Sequence, residues 1–177
     1  MVKIIFESHS TTTDNQAHIA SGWKDVDLSE LGLKQSEELG ERSRNRNLDA
    51  VFCSDLLRAV HSAKIAFGDT GIPIIKDARL RECNYGDLNG APSEEVDKEK
   101  PQRIAVPFPN GESYQQTTKR MAEFLNDLKK NYEGKTIMII GHRATQYGLE
   151  NLINGIPLKV IIPAPWKWQP GWIYNLK

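Results

Sequence analysis

At 177 residues, the chain is long enough for one well-packed domain and short for two. It carries 23 Lys and Arg against 23 Asp and Glu, so its formal net charge is zero. A neutral chain has no global charge to draw it toward nucleic acid or an acidic membrane surface, and any affinity for anions must be local. We therefore expect neither nucleic acid nor a membrane as a partner.

Other features of the whole chain are typical of a protein that works where it is made. No N-terminal apolar stretch is long enough for a signal peptide, and no span approaches a membrane crossing. Cys53 and Cys83 lack metal-ligand spacing and form no disulfide framework, so we expect them to be small buried residues. A reduced, cytoplasmic setting is the expectation.

Short apolar runs predict strands, and helical spacing of apolar residues predicts helices between them. In chain order, the predicted strands are residues 2–6, Ala50–Cys53, 72–76, 136–140 and 171–176, the last at a sheet edge. The predicted helices are 30–45, 55–67, 114–132 and 144–154. The predicted caps are Ser29 for the first helix, Ser54 or Asp55 for the second, and a Ser113–Gln116 capping box for the third.

Two segments have little periodicity: residues 7–28 are predicted to be a loop, and 78–110 a long excursion with one short helix. Elsewhere strands alternate with helices. The sequence therefore predicts an α/β fold, a three-layer sandwich with a mainly parallel central sheet flanked by helices, in one domain over residues 1–177. No Gly-x-Gly-x-x-Gly follows the first strand, which argues against a dinucleotide-binding module.

Polar residues follow the predicted strands, at the carboxyl ends where folds of this class place their sites. The candidates there and in the 78–110 excursion are Ser8, His9, Ser10, Arg58, Glu82, His142 and Arg143. A histidine alone at a strand end is more often an ordinary polar residue. Together, however, two histidines, arginines and an acid suit phosphoryl transfer through a phosphohistidine, because each step of that chemistry has a candidate group.

The same stretches resemble the motifs of a known family, the histidine phosphatase superfamily, also called phosphoglycerate mutase-like. "ESHSTTTDN" is similar to its Arg-His-Gly-x-Thr/Ser-x-x-Asn signature, and "CSDLLRAVHSA" to its Ser-x-Leu-x-Arg-Ala-x-x-Thr-Ala segment. "DLSELGLKQSEELG", "LRECNYGDLNG", "PNGES" and "IIGHRAT" resemble further family segments in the family's order. The likeness covers nearly the whole chain, and the order and spacing make it specific.

The resemblance implies a phosphoglycerate mutase-like fold and a role for each matching residue. His9 would accept the phosphoryl group, His142 would hydrogen-bond it, and Arg58 would bind its oxygens. Asn15 would contact the phosphate, and Glu82 would donate the proton to the leaving group. The resemblance implies no cofactor and no metal, and the histidines show no metal-ligand spacing.

The sequence departs from the family pattern on both sides of the first histidine. Ser8 stands where the family has an arginine, and Ser10 where it has a glycine. A serine cannot reproduce the charge-assisted contacts of an arginine to phosphate. Two accounts are open: Arg143 turns into the pocket and replaces the lost charge, or the pocket is weaker or adapted to another ligand.

We predict a metal-independent phosphomonoester hydrolase that acts on a small phosphorylated metabolite. Hydrolysis is favoured over transfer because the chain is short. By the resemblance, the family's mutases are longer and have insertions that exclude water from the active site. The alternatives are a phosphoglycerate mutase-like phosphotransferase and a catalytically impaired protein that binds phosphate or phosphoproteins. The partner is then the phosphorylated substrate or inorganic phosphate, and a homodimer is left open.

Some neighbouring residues have less specific interpretations. Glu94, Glu95 and Glu112 compete with Glu82 for the role of the acid. We assign no function to His18 and His61. The aromatic residues Trp166, Trp168, Trp172 and Tyr174 favour core and edge packing over a ligand platform.

Overall fold

The computed structural model describes residues 1–177 and is built on a central sheet of five strands. The strands of the protein are β1 (Val2–Ser8), β2 (Ile19–Ala20), β3 (Ala50–Cys53), β4 (Ile74–Lys76), β5 (Ala91–Pro92), β6 (Thr136–Gly141) and β7 (Trp172–Leu176). The α-helices are α1 (Thr13–Gln16), α2 (Glu30–Ser43), α3 (Leu57–Phe67), α4 (Ser93–Glu99), α5 (Tyr114–Asn131), α6 (Arg143–Asn154) and α7 (Leu158–Ile161).

The central sheet has the order β4-β3-β6-β1-β7, and every pairing in it is parallel except that of β1 with β7. Side chains alternate between its two faces, so β1 sends Ile5 to one side and Phe6 to the other. Ile5 joins a cluster with Leu39 of α2 and Phe67 of α3, whereas Phe6 packs with Phe124 of α5. The predicted three-layer sandwich, mainly parallel and with β7 at an edge, is confirmed.

The two segments without periodicity contain more structure than predicted. Residues 7–28 include the end of β1, the short helix α1 and strand β2, which pairs with β5 in a separate two-stranded sheet. Residues 78–110 include α4 as well as short 3-10 helices. Elements this short form through packing against the rest of the chain, and their own periodicity is too brief to detect.

The predicted caps have different outcomes. The Ser29 hydroxyl accepts from Gly32 N–H, and Ser113 forms its capping box with Gln116, so both predictions are confirmed. The cap predicted for the second helix is wrong: Leu56 is its N-cap, and the Asp25 carboxylate accepts from the backbone N–H of Leu57. None of the helices combines the length and the apolar character needed to cross a membrane.

Candidate active site

The register of the parallel strands brings the two predicted site histidines together. Ser8 at the end of β1 pairs with Gly141 at the end of β6, and His9 N–H donates to the Gly141 carbonyl at 2.9 Å. The next residue after β6 is His142, and its ring centroid lies 5.0 Å from that of His9. Both imidazoles therefore lie at the carboxyl ends of the parallel strands, where the sequence predicts the site.

The tautomer of His9 follows from its hydrogen bond. The Nδ1 atom lies 2.8 Å from the backbone carbonyl oxygen of Ser10. A carbonyl can only accept, so Nδ1 must carry the hydrogen, and the neutral ring keeps a lone pair on Nε2. Burial and the Arg58 guanidinium lower the pKa of His9 to about 3, with Arg143 adding to the effect. The imidazole is thus neutral, with a nucleophilic nitrogen, at ordinary pH.

His142 is almost fully buried and is held from one side only. Its Nε2 lies 2.7 Å from the Ser54 hydroxyl, while its Nδ1 is buried without a hydrogen-bond partner. Burial, Arg58 and His9 lower its pKa well below the usual value. A buried polar atom without a partner is costly, so it marks a position where a ligand atom could be bound.

Arg58, in the first turn of α3, is held by the backbone of the loop between β2 and α2. Its two terminal nitrogens donate to the carbonyls of Gly22 (2.7 Å) and Lys24 (3.0 Å). Burial lowers the pKa of this guanidinium, and the nearby Glu82 opposes the effect. A guanidinium has five N–H donors, so donors remain for an anion in the cavity that Arg58 lines.

Glu82 is placed at the start of α6 by backbone donors. Its Oε1 accepts from Cys83 N–H at 2.7 Å and from Ala144 N–H at 3.3 Å. Arg120 of α5 fixes the same loop, because it donates to the Glu82 carbonyl and to the Glu112 carboxylate. Glu112 is therefore occupied by this ion pair.

Glu94 and Glu95, the remaining acids that competed for the same role, lie exposed on α4. Neither they nor Glu112 lines the cavity, and Glu82 does.

The three other predicted residues around His9 also line the cavity. Ser8 places its hydroxyl 3.4 Å from the His9 carbonyl. Ser10 accepts from the Ser36 hydroxyl, and its φ is not positive, so the backbone accommodates the extra side chain. Asn15 is in α1, where its Oδ1 accepts from Thr12 N–H, and its Nδ2 makes no hydrogen bond within the protein.

Arg143, the first residue of α6, lies in the wall of the same cavity. Its side chain is 43% exposed, its Nη1 is 3.9 Å from the Asp97 carboxylate, and its Cζ lies 5.0 Å from the centre of the Trp166 ring. Its charge is the smallest of the contributions that lower the pKa of His9. Arg143 and His9 thus line the same cavity, which the account in which Arg143 replaces the missing arginine requires.

Several cavity residues were not predicted. Arg42 could have been found, because it lies on the same face of α2 as Gln35 and Glu38, at spacings of seven and four residues. Lys100 lines the cavity with only 7% of its side chain exposed, and it donates to Asp97 at 2.6 Å. No local pattern points to it, since its position depends on how the 78–110 segment folds back.

Three of the four aromatic residues pack as predicted. Tyr174 is buried in the core, Trp172 packs on Phe6 with ring centroids 5.5 Å apart, and Trp166 packs on Trp172 and against a buried cluster that includes Tyr147. Trp166 also lines the cavity, as does Trp168, which is 55% exposed.

The remaining predictions concern two histidines, the cysteines and metal binding. Among the residues left without a function, His18 also lines the cavity, whereas His61 Nδ1 lies 2.7 Å from the Asp27 carboxylate. Cys53 and Cys83 are buried free thiols, as predicted. No group of three or more His, Cys, Asp or Glu side chains is placed to hold a metal ion.

Comparison with known proteins agrees with this arrangement. A model of the histidine phosphatase superfamily (branch 1) matches residues 4–166. The chain belongs to the histidine phosphatase superfamily. Its fold is shared with Bacillus stearothermophilus YhfR, at a TM-score of 0.87 and 25% identity, over 99% of this chain and 95% of that one.

The curated relatives of this superfamily member have different activities. An uncharacterized phosphatase, PhoE of Bacillus subtilis, is 30% identical over 88% of this chain and 79% of its own length. A 2,3-bisphosphoglycerate-dependent phosphoglycerate mutase of Cytophaga hutchinsonii is 32% identical over 84% of this chain and 78% of its own. The family is therefore established, and both phosphatase and mutase activity are plausible for this member.

Proposed function

We propose that this protein hydrolyses phosphomonoesters through a phosphohistidine at His9, without a metal. The observation that carries the proposal is the Nδ1 contact to the Ser10 carbonyl, which leaves the lone pair of a neutral imidazole on Nε2. Arg58, with spare donors in the same cavity, would bind the oxygens of the phosphoryl group. The unpartnered Nδ1 of His142 would hydrogen-bond one of them, and Asn15 Nδ2 another.

The reaction has two steps that conserve atoms and charge. In the first, His9 Nε2 forms a bond to phosphorus while the bond to the ester oxygen breaks, and Glu82 in its acid form gives that oxygen its proton. In the second, water attacks the phosphorus, the bond to Nε2 breaks, and Glu82 takes up the proton of the water. The enzyme then returns to its starting state and releases inorganic phosphate.

Hydrolysis rather than transfer is supported by the rim of the cavity. Trp168 and Arg143 are about half exposed, so water can reach the region around His9. A mutase must instead protect its phosphohistidine from water until the substrate returns. The second candidate remains a phosphoglycerate mutase-like phosphotransferase, which the curated relatives favour as much as a phosphatase.

The position of Arg143 supports the first of the two accounts of Ser8. Arg143 and His9 line the same cavity, and the Arg143 charge contributes to the lowered pKa of that imidazole. The ion pair with Asp97 is loose at 3.9 Å, so the guanidinium can turn toward phosphate at little cost. The alternative, an impaired protein that binds phosphate without turnover, remains an outcome of the experiment below.

The experiment is release of phosphate from 4-nitrophenyl phosphate without added metal, by the wild type and by His9→Ala. We expect turnover in the wild type and a loss of about 10³-fold or more in the variant, because the nucleophile is absent. Turnover retained in His9→Ala would exclude this mechanism. Phosphate binding without turnover in the wild type would favour the binder, and dependence on a bisphosphate would favour the mutase. A cytoplasmic location and a homodimer stay predictions of the sequence.

A further inference from the structure

The cavity is larger than a phosphoryl group alone requires. It has a volume of about 770 Å³, and the groups proposed to act on the phosphoryl group are only a few of the residues that line it. A cavity of this size is typical of a site that also encloses an organic group. The rest of the substrate must therefore be recognised by the remaining walls, and this inference rests on the proposed phosphomonoester hydrolysis.

One of these walls, which we call the indole wall, consists of Trp166 and Trp168. Trp166 is anchored, because its Nε1 donates to Gln146 at 2.6 Å and its ring packs on Trp172 with centroids 6.0 Å apart. Trp168 has no such packing and leaves 55% of its surface exposed in the cavity wall. An exposed indole in a cavity loses contact with water when an apolar group covers it, which favours binding of such a group.

Each ring of the indole wall also has a guanidinium beside it. Arg143 Cζ lies 5.0 Å from the centroid of Trp166, and Arg42 Cζ lies 5.9 Å from that of Trp168. Planar guanidinium groups and indole faces both stack on planar rings. A saturated group could use the apolar area but not the π faces. The wall is therefore best matched by an aromatic group.

The charges of this rim argue against a second anionic group on the substrate. Arg42 donates to the buried carboxylate of Glu7 at 3.0 Å, and Lys100 to Asp97 at 2.6 Å. Both cations are thus compensated within the protein. Arg143 is the loosely paired cation, and the proposed function already assigns it to the phosphoryl group.

We propose that the substrate is a phosphomonoester whose leaving group carries a neutral aromatic ring, and that this ring stacks on Trp168. Arg42 lies beside this indole in the same cavity, and Glu7 holds Arg42. Recognition of this kind selects among phosphate esters by the planarity of the leaving group, because the phosphoryl end of the site is the same for all of them.

Two esters isolate this feature. Benzyl phosphate and cyclohexylmethyl phosphate both release a primary alcohol and have similar size, so they differ mainly in aromaticity. We expect kcat/KM to be about 2- to 10-fold higher for the benzyl ester, the range that stacking contributes beyond buried area. Trp168→Leu should remove this preference by lowering kcat/KM for the benzyl ester alone, and Trp168→Phe should keep most of it. Val160→Ala, at an exposed apolar position of α7 outside the cavity, is the matched control and should change neither ester.

Equal kcat/KM for the two esters in the wild type, or an equal loss for both in Trp168→Leu, would overturn the aromatic assignment while leaving phosphatase activity in place. If the wild type hydrolyses neither ester, the proposed function fails instead. The inference is then decided by calorimetric binding of the same two esters to the wild type. Tighter binding of the benzyl ester, lost in Trp168→Leu, supports it, and equal or undetectable binding rejects it.

Discussion

The floor and the rim of the cavity are built in different ways. The floor consists of His9, Arg58 and Glu82, and the buried His142 lies beside His9 without lining the cavity; all four are held by backbone groups or a buried hydroxyl. These side chains are mostly inaccessible, with exposed fractions of 2% for Arg58, 8% for Glu82 and 1% for His142. Fixed groups of this kind suit a reaction centre, because their positions cost no reorganisation during the reaction.

The rim consists of Arg42, Asp97, Lys100, Arg143, Trp166 and Trp168. Most of these side chains are held by other side chains through ion pairs and ring stacking, and Asp97 and Trp168 are about half exposed. Such contacts can change without disturbing the sheet. Substitutions at the floor should therefore change the rate of the reaction, and substitutions at the rim should change the choice of substrate.

The largest effect should come from the acid of the floor. In Glu82→Gln the side chain keeps its shape and its acceptor for Cys83 and Ala144, but it cannot donate a proton. We expect kcat/KM for an alkyl phosphate, which reports the first step, to fall by about 10²- to 10⁴-fold. For 4-nitrophenyl phosphate the loss in kcat/KM should be much smaller, since nitrophenolate leaves without protonation, although kcat can still fall because Glu82 also acts as the base of the second step. Steady-state rates on the two substrates test this, with Glu94→Gln on the exposed face of α4 as control. An equal loss in kcat/KM on both would remove Glu82 from the role of acid.

Arg58 should give the next largest effect. Arg58→Ala removes the charge for the phosphoryl oxygens and also releases the Gly22 and Lys24 carbonyls, so kcat/KM should fall by about 10²- to 10³-fold. Arg44→Ala, at an exposed position on the end of α2, should leave the rate unchanged. Circular dichroism of both variants separates a loss of fold from a loss of chemistry. A folded Arg58→Ala protein with near-normal kcat/KM would place the anion elsewhere.

The same contrast explains what the sequence could predict. His9 and His142 could be placed together from the sequence, because parallel strands end at the same sheet edge and their apolar runs are easy to read. The wrong prediction of a Ser54 or Asp55 cap has a physical cause. Ser54 is bound to His142 and Asp55 to Arg81, and both partners are distant in sequence.

The rim was missed for a related reason. Lys100 and Trp168 belong to segments whose fold is set by long-range packing, and no local period marks which face will meet the cavity. A tryptophan near a predicted edge strand has the same local pattern whether it lies in the core or in a pocket. The interpretation as a packing residue therefore failed for Trp168, where tertiary structure decides.

A smaller effect should follow from the residue where floor and rim meet. If Arg143 supplies the charge that Ser8 lacks, Arg143→Ala should lower kcat/KM by about 10- to 10²-fold, the range for one lost charge-assisted hydrogen bond. Arg143→Lys should be intermediate, because a lysine keeps the charge without the planar fork. Adding Ser8→Arg to Arg143→Ala should restore part of the lost rate. Unchanged phosphate affinity and kcat/KM in Arg143→Ala would favour a pocket adapted to another ligand.

The smallest expected effect is on stability, through the ion pair between the buried Glu7 of β1 and Arg42 of the rim. Burial raises the pKa of Glu7 above its ordinary value of 4.5, although Arg42 opposes the shift. Between 4.5 and the raised folded pKa, the folded state holds a proton that the unfolded state has released, so the contribution of Glu7 to stability falls as pH rises through that window. Glu7→Gln removes this dependence.

Urea unfolding of both proteins from pH 4 to pH 8 measures the Glu7 contribution as a difference. The free energy of unfolding of the wild type minus that of Glu7→Gln should decrease as pH rises above 4.5, then level off. A difference that increases with pH would mean that the Arg42 ion pair outweighs the cost of burial. If the difference decreases with pH as expected, burying the ionised Glu7 carboxylate costs more free energy than its ion pair with Arg42 contributes.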